Sequence, residues 1–167
     1  HSNQRHYSVA IGDYAAHNSQ EHYNVAIGHN AGHHQHYQNS VAIGNHAGYW
    51  QRQHCVAIGN HAGYATQHQR AIAIGYETAR SNQYEYSIAI GDHASYYSQH
   101  SQSYSYGYYA GYNHQRHHSV AIGTHAGHEQ IRDNAIAIGN HAGYHNLHNQ
   151  AIAIGYYAGY YQKDSDS

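Results

Sequence analysis

The chain has 167 residues with no proline, methionine or phenylalanine, a single leucine (Leu147), and 22 histidines, 21 tyrosines and 17 glycines. That inventory excludes an ordinary globular core of Leu, Ile, Val and Phe. A formal charge of −2 with only 10% charged residues excludes a nucleic-acid-binding footprint. No apolar run approaches the roughly 18 residues of a membrane span, no signal peptide is visible, and one cysteine cannot make an internal disulfide framework.

Composition alone suggests disorder, but an internal repeat overrides it. Taken in chain order, V-A-I-G or I-A-I-G units place glycines at Gly12, Gly28, Gly44, Gly59, Gly75, Gly91, Gly123, Gly139 and Gly155. The degenerate unit Tyr104-Ser105-Tyr106-Gly107 supplies the missing member. Coils therefore start at 9, 25, 41, 56, 72, 88, 104, 120, 136 and 152, sixteen residues apart except for the 15-residue coil starting at Val41. Residues 1–8 fit the second half of one more coil, with Gln4 in the column of Gln67 and Gln83. Residues 1–167 read as one array without a linker, and the mid-coil start as an excerpt from a longer fibre.

Within the coil, position 1 is Val or Ile, position 2 Ala, position 3 Ile and position 4 Gly. Position 7 is Ala in nine coils and Thr78 in the other, and position 8 is Gly, Ala or Ser. The residue before each unit is small or short, as in Ser8, Asn24, Ser40, Cys55 and Ala71. Val-Ala-Ile favours a strand. The glycines Gly12, Gly28, Gly44, Gly59, Gly75, Gly91, Gly107, Gly123, Gly139 and Gly155 read as corners needing positive φ or close backbone approach. Apolar residues at positions 1, 2 and 3 have no helical period. The expected fold is all-β: a left-handed parallel β-roll or β-solenoid of about ten 16-residue coils, stacked at roughly 4.8 Å into a rod of about 48 Å.

Val-Ala-Ile is apolar on both faces of the strand, and one coil cannot cover both. A monomer would leave a stripe about ten coils tall exposed to water, which marks an interface. The expectation is an obligate homo-oligomer, a homotrimer, with the β-branched residues inside the coil. Those residues are Val9, Ile11, Val25, Ile27, Val41, Ile43, Val56, Ile58, Ile72, Ile74, Ile88, Ile90, Val120, Ile122, Ile136, Ile138, Ile152 and Ile154. The Ala stripe, Ala10 to Ala153, would then face the partner chains.

Units such as Ser8-Val9-Ala10-Ile11-Gly12, Ser40-Val41-Ala42-Ile43-Gly44 and Ser119-Val120-Ala121-Ile122-Gly123, followed by x-x-Ala-Gly, resemble the head repeat of trimeric autotransporter adhesins. That YadA-like β-roll has counterparts in viral and phage fibres, often with a Gln in the second half of the coil. Here the Gln positions are Gln35, Gln51, Gln67, Gln83, Gln99, Gln115 and Gln130. The resemblance spans the whole chain and implies a left-handed trimer at a cell or virion surface that presents a repetitive face for attachment. The chain departs from it in period, 16 against the usual 14 residues. It shows no stalk, neck or anchor, and Glu21, Arg52, His68, Tyr84, His100 or Arg116 follows the Gln where a Gly is usual.

Chemistry-bearing columns are few. Position 6 carries His46 and His61 in adjacent coils, and His125 and His141 in another adjacent pair. Stacked imidazoles make a candidate metal ladder, but a site needs three or four ligands with support behind them, and the acids are unaligned. A solvated polar face is the simpler reading. No Ser/His/Asp set recurs, and Cys55 reads as a small buried thiol, so no catalytic residue or cofactor is expected. A hexapeptide-type acyltransferase solenoid would need three Ile-Gly-x-x-Ala-Gly-like units per 18 residues, and the chain has one per 16. Threonine ladders for ice and in-phase aspartates for calcium are missing. Position 9, with Tyr49, Tyr64, Tyr96, Tyr112, Tyr144 and Tyr160 beside His17, His33 and His128, reads as a self-stacking column that can also serve as a sugar- or surface-binding stripe.

The expected function is a structural or adhesive fibre module of an extracellular cell-surface or virion appendage, not an enzyme. Its expected partners are further copies of itself and a host-surface or glycan ligand, with no nucleic acid and no membrane span. The alternative is a purely structural filament or matrix protein built from stacked rods.

Overall fold

The computed structural model describes residues 7–161, so Gln4 and most of the opening partial coil lie outside the described residues. The fold is all-β, a parallel β-solenoid of about nine turns with no helix among the described residues. Ten three-residue strands, from Val9–Ile11 to Ile152–Ile154, stack in chain order into one parallel sheet. Eight two-residue strands, from Ser19–Gln20 to Gln130–Ile131, stack into a second. The register is in phase, Val9 beside Val25, Ala10 beside Ala26 and Ile11 beside Ile27. The degenerate unit keeps it, with Tyr104 beside Ile88 and Ser105 beside Ala89.

Corners are made by four positive-φ columns per coil. At position 4, φ lies between +123° and +137°, reachable only by glycine. A Cβ on Gly91 would sit 2.5 Å from the carbonyl oxygen of Gly107 in the next coil, so the column also needs glycine for space. Position 8 is left-handed too, and takes Ala16, Ala79 or Ser95 where glycine is absent. Positions 6 and 15 are left-handed without glycine: His46, His61 and His125 at φ +54° represent the first, Tyr86 at +58° and Arg70 at +59° the second. Such residues cost up to about 1–2 kcal/mol each. Each left-handed corner is tied to its neighbouring coil, as where His46 N–H donates to His29 C=O at 2.9 Å and Tyr86 N–H to Gln69 C=O at 3.2 Å.

The interior corrects the expected facing of the strands. Ala26, Ala42, Ala57, Ala73, Ala89, Ala121 and Ala137 are fully buried inside the coil. The whole Val/Ile set listed above, Val9 to Ile154, lies on the outer face, with Val9 44%, Ile11 58%, Ile122 39%, Ile152 65% and Ile154 63% exposed. The reason is volume. A Cβ added to Gly48 would already lie 3.2 Å from Ala42 Cβ and 2.8 Å from Gln51 Oε1, so with position 12 filled by a large side chain, position 2 has room for a methyl and not for a β-branched side chain. Strand alternation then sends both flanking residues outward.

One large side chain per coil fills the remaining space, at position 12. Gln51, Gln67, Gln83, Gln99 and Gln115 are buried there, joined by His36, Ile131 and Leu147. Two expected members of the Gln column do not belong to it. The register pairs Gln35 with Trp50 and His36 with Gln51, and His114 with Gln130 and Gln115 with Ile131. Gln35 and Gln130 therefore precede the column by one residue.

The buried amides are bonded to one another along the rod from Gln51 to Gln115, and Gln51 Oε1, at the end next to His36, has no hydrogen-bond partner. Gln51 Nε2 donates to Gln67 Oε1 at 2.9 Å, Gln67 to Gln83 at 3.0 Å, Gln83 to Gln99 at 3.0 Å and Gln99 to Gln115 at 3.3 Å. Each amide also donates to a main-chain carbonyl, as Gln83 does to Ile72 at 2.7 Å. At one end, Ser95 Oγ and Ser105 Oγ donate to Gln115 Oε1 at 3.2 and 2.5 Å. Ser105 thus replaces the column's usual alanine exactly where the amide run needs a hydroxyl donor. Beyond it Ile131 and Leu147 continue the column as apolar packing.

Candidate functional site

The repeating chemistry of this chain lies on its outer surfaces. At position 9 the side chains form one stacked column. His17 lies 5.2 Å from His33, His33 5.0 Å from Tyr49, and Tyr49 5.1 Å from Tyr64. Arg80 interrupts the rings and places its guanidinium 5.7 Å from the Tyr64 ring and 5.5 Å from that of Tyr96. The stack then resumes through Tyr112, His128, Tyr144 and Tyr160 at spacings of 4.7–5.2 Å. Coil stacking sets this spacing, and aligned rings at such distances contribute about 0.5–1.5 kcal/mol per pair.

The four metal-ladder candidates belong to a second column at position 6. His46 and His61 stack at 5.0 Å and 9°, and His125 and His141 at 4.9 Å and 17°. The pairs are separated by Glu77, His93 and Tyr109, which occupy the intervening coils. Their ring faces meet, while imidazole ligates through nitrogen lone pairs in the ring plane. The described residues include no group of three or more His, Cys, Asp or Glu able to hold a metal ion. The arrangement is a π-stack, cross-braced to position 9 by contacts such as His61 to Tyr64 at 5.3 Å. Glu77 adds an ion pair to Arg80 at 3.9 Å and lies 3.3 Å from His93 Nε2.

Stacking and burial shift the titrations. Desolvation, followed by the neighbouring imidazoles, lowers the pKa of His33, His46 and His125. His128 is lowered to about 4, first by desolvation and then by His125. Tyr112 is pushed up to about 12 by desolvation and then by Tyr97. Inside the rod, burial lowers His36 to about 4, with the Gln51 side chain acting in the opposite direction. His33, His46, His125 and His128 are thus biased toward the neutral form. Cys55 is fully buried, its thiol donates to the His68 carbonyl at 2.7 Å, and burial raises its pKa to about 11. A thiol so placed is not a nucleophile at neutral pH.

The other surface is the outer face of the ten-stranded sheet. Positions 1 and 3 form two parallel apolar ladders from Val9 and Ile11 to Ile152 and Ile154, with Tyr104 and Tyr106 in the degenerate coil. Coils above and below cover part of each side chain, and the outward flank stays open. Sequence reasoning missed this assignment, as it missed His36, Ile131 and Leu147 in the buried column. Counting positions from each corner glycine, instead of following the letter Gln, places all three.

The chain matches no protein-family model, no curated protein and no solved structure. Its surfaces therefore carry the functional argument alone. No described helix is long and apolar enough to cross a membrane.

Proposed function

We propose that this chain is a rod segment of an extracellular fibre, at a cell or virion surface, that trimerises through its Val/Ile face and displays its His/Tyr columns for attachment. The observation that carries the reading is the apolar face, two ladders wide and ten strands tall, whose side chains stay partly or largely exposed along the described rod. Apolar patches on soluble monomers rarely run so far without an interaction to serve. The strip is two side chains wide, about 7 Å between positions 1 and 3. Three such strips close around a common axis with every ladder in contact. The resemblance of the Ser-Val-Ala-Ile-Gly units to trimeric adhesin heads supports the same stoichiometry. The stacked columns lie on other positions of the coil and stay free in such an assembly.

Sedimentation equilibrium of the purified chain tests the association. The reading expects a single species at the mass of three chains, with no folded monomer on dilution. A stable, folded monomer across the accessible concentration range would overturn it.

A further inference from the structure

The 15-residue coil is the one irregularity of length in the array, and a depression of about 440 Å³ opens beside it, spanning three successive coils. The missing residue falls between Tyr49 and Gln51, where the next coil has Ala65 and Thr66 between Tyr64 and Gln67. In the position that Gln35 and Thr66 occupy in the flanking coils stands Trp50, the chain's only tryptophan. Its indole stacks on His34 at 4.5 Å and 16°, which fixes the ring. On its other side the column continues with Thr66, too short to cover an indole, and Trp50 remains 42% exposed. Tyr37, Gln35, Gln53 and Gln69 line the same depression, with Arg52 beside them.

We propose that this depression is a binding site for a carboxylated pyranose, a uronic or sialic acid residue of a glycan. A fixed, half-exposed indole offers the apolar platform on which the C–H face of a pyranose packs. Carboxamides present a donor and an acceptor each, the pairing that sugar hydroxyls need, and three of them converge here. Tyr37 Oη donates to Gln35 Oε1 at 3.3 Å, which holds that amide toward the depression. Arg52 is exposed, and no carboxylate among the described residues pairs with it. Its guanidinium fork matches a carboxylate in two hydrogen bonds. The volume fits one sugar ring with its substituents, at the small end of ligand sites. No other coil repeats the combination, so each chain offers one such site, and a trimer three. This deepens the attachment role proposed above by naming a ligand class, and its failure would leave trimerisation through the Val/Ile face untouched.

Selective excitation of Trp50 gives a direct probe. The intact chain is titrated with methyl glucuronide, a methyl sialoside and methyl glucoside, alongside Arg52→Gln and Trp50→Ala followed by calorimetry. The proposal expects saturable binding of one of the two carboxylated sugars, at least about tenfold weaker binding of the neutral glucoside, and about tenfold loss in Arg52→Gln. Trp50→Ala should abolish binding. Arg52 is exposed and outside the packed interior, so its variant should fold. No saturable response to either acidic sugar, equal affinity for the glucoside, or unchanged binding in Arg52→Gln would overturn the proposal.

Discussion

Gln67 and Gln83, one coil apart, meet inside the rod, the amide nitrogen of Gln67 donating to the side-chain oxygen of Gln83 at 3.0 Å. Neither residue is exposed at all. This contact explains how an interior with almost no large apolar residues is filled: small methyls line the sheets, and the amides bond to one another along the axis. Stacked amides in register are the same device that stabilises amide ladders in cross-β assemblies.

The first prediction follows from that run. Gln83→Ala takes the side-chain acceptor from the Gln67 amide, leaves Gln99 Oε1 without its amide donor and opens a cavity. It should cost about 2–5 kcal/mol. Gln83→Leu fills the space, as Leu147 does in the same column, and should cost less. Chemical denaturation of the two variants gives the comparison; equal losses would mean the amide contacts contribute nothing beyond volume.

A second prediction separates two kinds of left-handed residue. Gly91→Ala at φ +131° drives its Cβ to within 2.5 Å of the Gly107 oxygen and should disrupt at least two coils. Asn30→Gly, at φ +54° on the surface, should be neutral or stabilising by up to about 1 kcal/mol. Thermal melts of both variants check the contrast, and equal destabilisation would contradict the corner assignment.

These corners also show how far the sequence could be read. The repeat, its phase and the strand positions follow from Gly at position 4 and Val-Ala-Ile before it, because only glycine fits that backbone. The facing of the strand did not follow. Hydrophobicity favours putting Ile90 inside and Ala89 outside, whereas the gap between sheets, already filled by the position-12 side chains, accepts only the methyl at position 2. The left-handed columns at positions 6 and 15 were hidden for another reason. Beside Asn30, Asn39 and Asn134, which tolerate that conformation, they hold mostly His, Tyr, Arg and Gln, whose conformation there is imposed by hydrogen bonds to neighbouring coils rather than by local preference. The Gln column was legible for Gln67 to Gln115 and obscured at Gln35 and Gln130, where the amide stands one residue early.

The third prediction concerns pH. His36 and His128 are lowered from 6.5 to about 4, and His33, His46, His61, His100 and His125 are also lowered. Below pH 6.5 the unfolded chain takes up protons that the folded one refuses. Stability is therefore fully present above about pH 6.5 and falls as pH drops toward 4. His36 alone accounts for on the order of 3 kcal/mol. His36→Gln extends the amide run toward Gln51 and removes that loss, so the variant should gain more at pH 5 than at pH 8. Salt should soften the contribution of the exposed columns. A melting temperature independent of pH would contradict the neutral-histidine arrangement.

The central claim is that Ala faces the interior and Val/Ile faces the partners, and adjacent residues of one strand test it. Ala89 is fully buried, and Ile90 is partly exposed on the outer face. Ala89→Asp places an unpaired carboxylate between the sheets, at a cost of several kcal/mol, and should abolish the β signal in circular dichroism. Ile90→Asp should retain that signal at high protein concentration while sedimentation equilibrium shows the assembly weakened toward monomer. If Ile90→Asp unfolds the chain while Ala89→Asp leaves it folded, or if Ile90→Asp leaves association unchanged, the account is contradicted.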